Sequence, residues 1–578
     1  MIRRFSLLIL AVCIIIPATA QKNTPKWLEK QRKAVLTVAT YGKNNQRLQN
    51  GTAFYVSETG EALSGYGIFR GAERATVTDT DGNTYPVTAI LGADDMYEVI
   101  RFKVNVPKKV SFFSIASEPL QNGAKVYTVP YSTEKKGTFK EGNITEVSNL
   151  KDPYAYYKTS IPFGSSTSLN LPLLTENGEV FALMQDDTSG DTNISYGVSA
   201  GYANSLRVTS IDALSRTYSN IGIRKAWPED VDQAEVMLFI MGTGKTAMEY
   251  LDIINDFIAT FPASREGYIN RASHYAYHRA ELSQATGESV QSYLDKAMAE
   301  WELAAKQTDN KAHVLFNKSR VIFDVASTDT TLTQREWTMA GAVKILQDAI
   351  NLDDQPAYRQ LAGDMYFAMG IYEMAYDSYA KVNASEMPTA SSFYMASKSL
   401  EQIPGTNISD MIALLDKAIE ISRKTPSEET LSYVLERMEL KTKLSMYDEA
   451  VKDYDLYYDL SHGNVDDNFY YLREQAKFRA GNYDGAMDDI RLALEYAPEN
   501  PNYIAEVASI YMRQENYTEA LVNLDKALAL APDFSSCYRL KGVCLVRTNK
   551  KTQACEAFAK AKELGDPIVD RLIREHCK

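Results

Sequence analysis

GTAFYVSETGEALSGYGIFRGAERATVTDTDGNTYPVTAILGADDMYEVIRFKV, residues 51–104, is the stretch on which the reading of this 578-residue chain turns. Short runs rich in β-branched and aromatic residues (TAFYVS, ATVTDT, PVTAIL, VIRFKV) alternate with Gly, Asn and Asp turn signals, which is the pattern of short antiparallel strands. The same texture extends outward on both sides, through AVLTVATY at 34–41, KVYTVP at 125–130 and EVFALM at 179–184. It stops near residue 205. About 180 residues of this kind predict a sandwich or a double β-barrel.

The order of these segments resembles exported bacterial trypsin-like serine proteases. In that family a "GTGFFV" strand leads into "ILTNHHVV", a "DG" hairpin and "DLALLKV". LQNGAKVYTVP at 120–130, GTFKEGNITEV at 137–147 and ISYGVSAGYANSL at 194–206 continue the resemblance through the module, placed at 21–210. It implies a trypsin-like fold of two β-barrels with altered catalytic positions. Gly67 stands where the general base His belongs, and Glu98 at or near the Asp that orients it. The nucleophile loop "NSGGPLL" corresponds to GSSTSLNLPLL at 164–174; anchored on Pro172, the Ser position falls on Leu169 and the glycines become Asn170 and Leu171.

All five histidines lie outside the module, at His274, His278, His313, His462 and His576. A Ser–His relay within it is excluded, and triad members act as a unit. The expectation is a non-catalytic domain that keeps a peptide-sized cleft and strand edges able to take up an extended chain. The alternative is a serine peptidase with atypical groups, for which Lys158 and a Ser from 165–168 are the candidates.

Length predicts three or four domains. With 45% apolar and 24% charged residues and a net charge of −13, the composition fits a globular protein and argues against nucleic-acid binding. Residues 1–20 combine Arg3 and Arg4, an apolar run and Ala18-Thr19-Ala20 before Gln21, a cleavable secretory signal. A lipoprotein anchored at Cys13 or a retained helix are the rivals. The expectation is an exported protein of the bacterial periplasm or cell surface, with no transmembrane segment after cleavage. In an exported protein the clustered Cys537, Cys544, Cys555 and Cys577 predict one or two disulfides, Cys555 with Cys577 favoured. Zinc is the rival, although no Cys-x-x-Cys pair exists; no metal and no cofactor are expected.

Residues 211–245 read as a helical connector. Within it and just beyond lies Gly242-Thr243-Gly244-Lys245-Thr246, which lacks the first glycine of a phosphate loop because that position is Phe239; a turn and helix cap is expected. His274 and His278, four apart on a helix, read as packing or solvated residues. From 246 to 578 the period is helical. Ala486, Ala520 and Ala554 recur every 34 residues, as do Ala493, Ala527 and Ala561. This resembles the tetratricopeptide repeat, clearest over 467–567, with eight or so helical pairs in a solenoid. Seven residues before Ala450, Ala486, Ala520 and Ala554 stand Lys443, Arg479, Arg513 and Arg547. They could form a basic strip for an acidic partner, or simply offset helix dipoles at C-termini. The function expected is a protein-interaction scaffold binding protein or peptide partners in the cell envelope; a β module that merely caps the repeats is a further possibility.

Overall fold

A computed structural model describes residues 25–133, 138–185, 191–212, 215–329, 331–332 and 336–577. The expected signal segment, with Arg3, Arg4 and Cys13, lies outside them. The chain forms two compact units, Met1–Gln307 and Thr308–Lys578.

The first unit contains two closed antiparallel barrels. Val35–Tyr41 (β1), Arg47–Tyr55 (β2), Glu61–Ser64 (β3), Arg74–Thr78 (β4), Thr84–Asp94 (β5) and Val99–Val104 (β6) form one, in the order β1-β2-β3-β6-β5-β4. It closes through β1 and β4, with Thr37 opposite Thr78. Lys125–Thr128 (β7), Lys140–Lys151 (β8), Tyr154–Thr159 (β9), Pro172–Leu174 (β10), Val180–Gln185 (β11) and Ser195–Ser199 (β12) form the other, closed where Leu173 faces Thr128. Alternation fills each interior. Val35, Leu36, Val38, Phe54, Phe69 and Phe102 are fully buried in the first barrel, whereas the second has a smaller core around Val126, Ile144, Leu173 and Met184.

The connector is not helical throughout. Helices occupy Arg216–Ser219 and Val231–Met241, but residues 221–226 between them run without helix along the first barrel. Their period is two: Ile221 and Ile223 are buried while Gly222 and Arg224 are exposed. Ile90 donates its N–H to the Arg224 carbonyl and accepts from Ala226 N–H, both at 2.8 Å. Hydrogen bonding to a barrel edge and burial of two isoleucines override local helix propensity here. Beyond this segment, Trp227 packs edge-on against Phe257 and donates its indole N–H to Asp256 at 2.8 Å. The first helices therefore share a unit with the barrels.

The helices that follow pair in sequence. In the first unit Arg265–Tyr277 packs against Val290–Lys306. In the second, seven further pairs run from Lys311–Thr328 with Met339–Leu352 to Ser535–Arg547 with Lys551–Glu563, a solenoid-like row. Within a pair, residues sixteen apart meet. A Cβ on Gly363 would come within 2.5 Å of the Tyr379 ring, and one on Gly542 within 2.4 Å of the Phe558 ring. Small residues there permit close helix approach. The same register holds Asp453 against Arg437 and Lys441 (2.5 and 2.9 Å), and Asp489 against Arg473 and Lys477 (2.7 and 2.8 Å).

Candidate functional site

A cavity of about 710 Å³ in the first unit lies between the barrels. Gly67, Glu98 and Leu169 all line it. Three positions distant in sequence thus converge because each barrel contributes a loop to one cleft.

Gly67 sits in a short turn, Tyr66–Phe69, after β3. Glu98, before β6, has a left-handed backbone (φ 54°). Its carboxylate accepts the Gly67 N–H at 2.8 Å and pairs with Arg70 at 3.2 Å. A Cβ on residue 67 would meet Glu98 Oε2 at 3.1 Å. Lack of a side chain at 67 is what lets the carboxylate close onto the backbone. The Arg70–Glu98 pair is about half exposed on both sides, so its own contribution to stability is small.

Across the cleft, Leu169 follows the short turn Ser166–Ser168. The amides of this loop are turned inward. Ser168 N–H donates to Ser165 (2.9 Å), Leu169 to Ser166 (3.2 Å), Asn170 to Met184 (2.8 Å) and Leu171 to Ser168 (3.3 Å). Asn170, left-handed at φ 63° and buried, fills the space beside Gly65, where a Cβ would lie 2.6 Å from its amide nitrogen. The loop thus spends its N–H groups on itself and on the barrel.

A polar belt that sequence reading missed joins the two barrels behind these loops. Tyr156 donates its hydroxyl to Gln185 (2.9 Å), Gln185 donates its amide to the Tyr97 carbonyl (2.8 Å), and Tyr97 donates its hydroxyl to the Leu150 carbonyl (3.3 Å). Asp94 accepts Met96 N–H and Tyr97 N–H at 2.9 and 3.0 Å and also the Tyr202 hydroxyl. Burial, followed by Asp94, pushes the Tyr202 phenol well above its ordinary range. Apart from the local turn at Asp94, no motif marks these residues, because the side-chain bonds of the belt span 29 to 108 positions. Met96, 81% exposed, and Leu169 give the cleft an apolar rim.

Other candidates lie apart from this cleft. Lys158 sits over the Tyr196 ring at 5.8 Å, and among the described residues no hydrogen bond joins it to Ser165, Ser166 or Ser168. Lys443, Arg479, Arg513 and Arg547 each occupy the last turn of a first helix and are exposed. Lys443 pairs with Glu439 (2.9 Å); Arg479 lies over Tyr447 and Arg513 over Phe478, each at 5.6 Å. Cys555 and Cys577 are disulfide-bonded, closing the last helix onto its neighbour. Cys537 and Cys544, also candidates for a bridge, are free and buried. They lie seven residues apart on one helix, a rise of about 10 Å, which is beyond disulfide reach. Burial pushes their thiols up to about 12 and about 11. Among the described residues no group of three or more His, Cys, Asp or Glu side chains could hold a metal ion, and no helix is long and apolar enough to cross a membrane.

Over 85 residues the chain is 27% identical to the Protein SGT1 homolog of Bos taurus, a match taking in 15% of this chain and 25% of that protein. The similarity therefore spans a quarter of the relative's length. Residues 51–183 match the family described as "Trypsin-like peptidase domain", and they cover most of both barrels and the whole of the cleft's two facing loops. The N-terminal region is a trypsin-like peptidase domain in fold, followed by a C-terminal helical region.

Proposed function

We propose that the protein is an exported, non-catalytic scaffold whose inter-barrel cleft and tetratricopeptide-type helical repeats bind polypeptide partners in the cell envelope. The observation that carries this reading is the inward-turned loop at 165–171. The Leu169 N–H that an oxyanion would need already donates to Ser166, and the neighbouring Ser168 and Asn170 amides are likewise used. Oxyanion stabilisation requires donors aimed at the reacting oxygen. Glu98, clamped to the Gly67 N–H, has no histidine to orient. What remains is a cleft of peptide size with an apolar rim, and a row of helix pairs whose grooves suit extended or helical segments.

The test treats the full chain with a fluorophosphonate probe and with an unstructured test polypeptide. No covalent label and measurable retention of the polypeptide are expected, with Met96→Asp plus Leu169→Asp lowering retention about tenfold, as loss of apolar anchors does. A label on Ser165, Ser166 or Ser168 would sink the non-catalytic reading, and retention unaffected by the double variant would remove the cleft from it.

A further inference from the structure

The fold brings together two sequence features that the scaffold reading leaves unused. Gly242, Thr243 and Lys245 of the glycine-rich turn and the His274–His278 pair line one pocket of about 400 Å³, together with Phe239, Tyr250 and Tyr277. Its walls are aromatic. Phe239 is 79% exposed at the end of helix Val231–Met241, and Tyr277 is 45% exposed across from it. No carboxylate is among the lining residues, although the chain as a whole carries a net charge of −13.

The cation is placed by its surroundings. Gly244 takes a left-handed backbone (φ 72°), and Lys245 N–H closes the turn onto the Gly242 carbonyl at 3.3 Å. Buried His274 donates Nε2–H to the Ala247 carbonyl at 2.8 Å, pinning the start of helix Ala247–Thr260 just after Lys245. His278 lies beside it, the rings tilted by 35° with centroids 4.6 Å apart, half exposed, with Nδ1 3.6 Å from Glu281. Among the described residues Lys245 makes no ion pair. The nearby acids are held by other donors: Glu249, which also feels the Lys245 charge, caps Thr246, and Glu281 accepts the Ala247 N–H at 2.9 Å.

A phosphate does not fit this arrangement. The N–H groups of Thr246, Ala247 and Glu249, which a phosphate would use, already donate to Glu249, Glu281 and Thr246. One unpaired ammonium, an imidazole and two exposed aromatic rings suit a single negative charge on an apolar body. We propose that this pocket binds an organic monocarboxylate with an apolar or aromatic body, its carboxylate on Lys245 and its body between Phe239 and Tyr277. Such a group can come from a peptide's free C-terminus or from a small free acid. The site is remote from the 165–171 loop in sequence and does not depend on the cleft binding anything.

The experiment is calorimetric titration of the full chain with 3-phenylpropionate and acetyl-Ala-Phe, each as free acid and as amide. The free acids should bind at least about tenfold more tightly than the amides, the worth of one charge-assisted hydrogen bond. Lys245→Gln should remove that preference at an unchanged Tm, and Phe239→Ser should weaken acids and amides alike. A tighter peptide acid identifies a chain terminus as the source, and a tighter 3-phenylpropionate a free small acid. Equal binding of acids and amides, no binding of either acid, or an acid preference that survives Lys245→Gln would overturn the proposal.

Discussion

At the scale of single residues, the cleft shows how one substitution stabilises another. Glu98 holds a backbone conformation unfavourable to a side chain and is retained there by the Gly67 N–H and by Tyr66 N–H on its own carbonyl at 3.3 Å. Restoring the catalytic residue types at these positions should therefore not restore catalysis. The triple variant Gly67→His, Glu98→Asp, Leu169→Ser is expected to show no acyl-enzyme burst with an activated ester, because the loop amides still point inward. A stoichiometric burst would show that the loop rearranges freely. A second residue-scale prediction concerns Glu474, which stands 34 residues before Ala508 and 68 before Gly542, at the small-residue position of its helix pair. It is fully buried, and burial, then the nearby Glu506, pushes its carboxyl up to about 8. The folded state thus prefers the protonated form. An unfolded Glu titrates near about 4.3, so the stabilisation is complete below that value and is lost as pH rises through about 8. Urea midpoints should fall between pH 5 and pH 9, roughly the interval bracketed by those two values, and Glu474→Gln should flatten that fall; parallel profiles for the two proteins would contradict the assignment.

Elements in the second unit are joined by two repeated ionic triads. Asp453 and Asp489 are each 2% exposed and each accept from an Arg and a Lys on the partner helix. Arg473 also reaches Asp455 of the preceding pair at 3.1 Å, as Arg437 reaches Asp416 at 2.6 Å. Removing the shared acid leaves the nearly buried Lys477 without its partner and Arg473 with the more exposed Asp455 alone, so Asp489→Ala should destabilise the row by about 3–5 kcal/mol. Asp488→Ala is the control: Asp488 and Arg491 are mostly exposed and 4.0 Å apart, and its loss should cost under about 0.5 kcal/mol. Chemical denaturation followed by far-UV circular dichroism reads both; equal effects would mean the triads do not hold the pairs together. The basic column is a contrast on the same helices. Arg479 and Arg513 already cover aromatic rings of the neighbouring helices, which gives them a packing role whether or not a partner binds.

Across the whole molecule, legibility followed periodicity. Strands with alternating burial, such as VLTVATY of β1, and repeats in phase at Ala486, Ala520 and Ala554 announce themselves locally, because their pattern is the pattern of the element itself. The convergence of Gly67, Glu98 and Leu169 was accessible through alignment to a known order of strands. The Tyr97–Gln185–Tyr156 belt was not, since each bond joins residues ordinary in their own context. Residues 221–226 misled for a related reason: Ile221 and Ile223 alternate over too short a run to outweigh the helical flanks, and only the barrel edge at Ile90 decides the matter. This bears on where the chain can be cut. A boundary at 245 separates Trp227 and Arg224 from Phe257 and Asp256, breaking an edge-on aromatic contact and a 2.6 Å ion pair and exposing the face that buries Ile254 and Phe257. A boundary at 307, between helices Val290–Lys306 and Lys311–Thr328, follows the division between the two compact units. A fragment of residues 308–577 should therefore be soluble and melt cooperatively, whereas 246–577 should aggregate or show an early non-cooperative phase, with Trp227 restored in 221–577 suppressing it. Light scattering and circular dichroism melts separate these outcomes, and a 246–577 fragment as cooperative as 308–577 would show that the Trp227 clamp is dispensable.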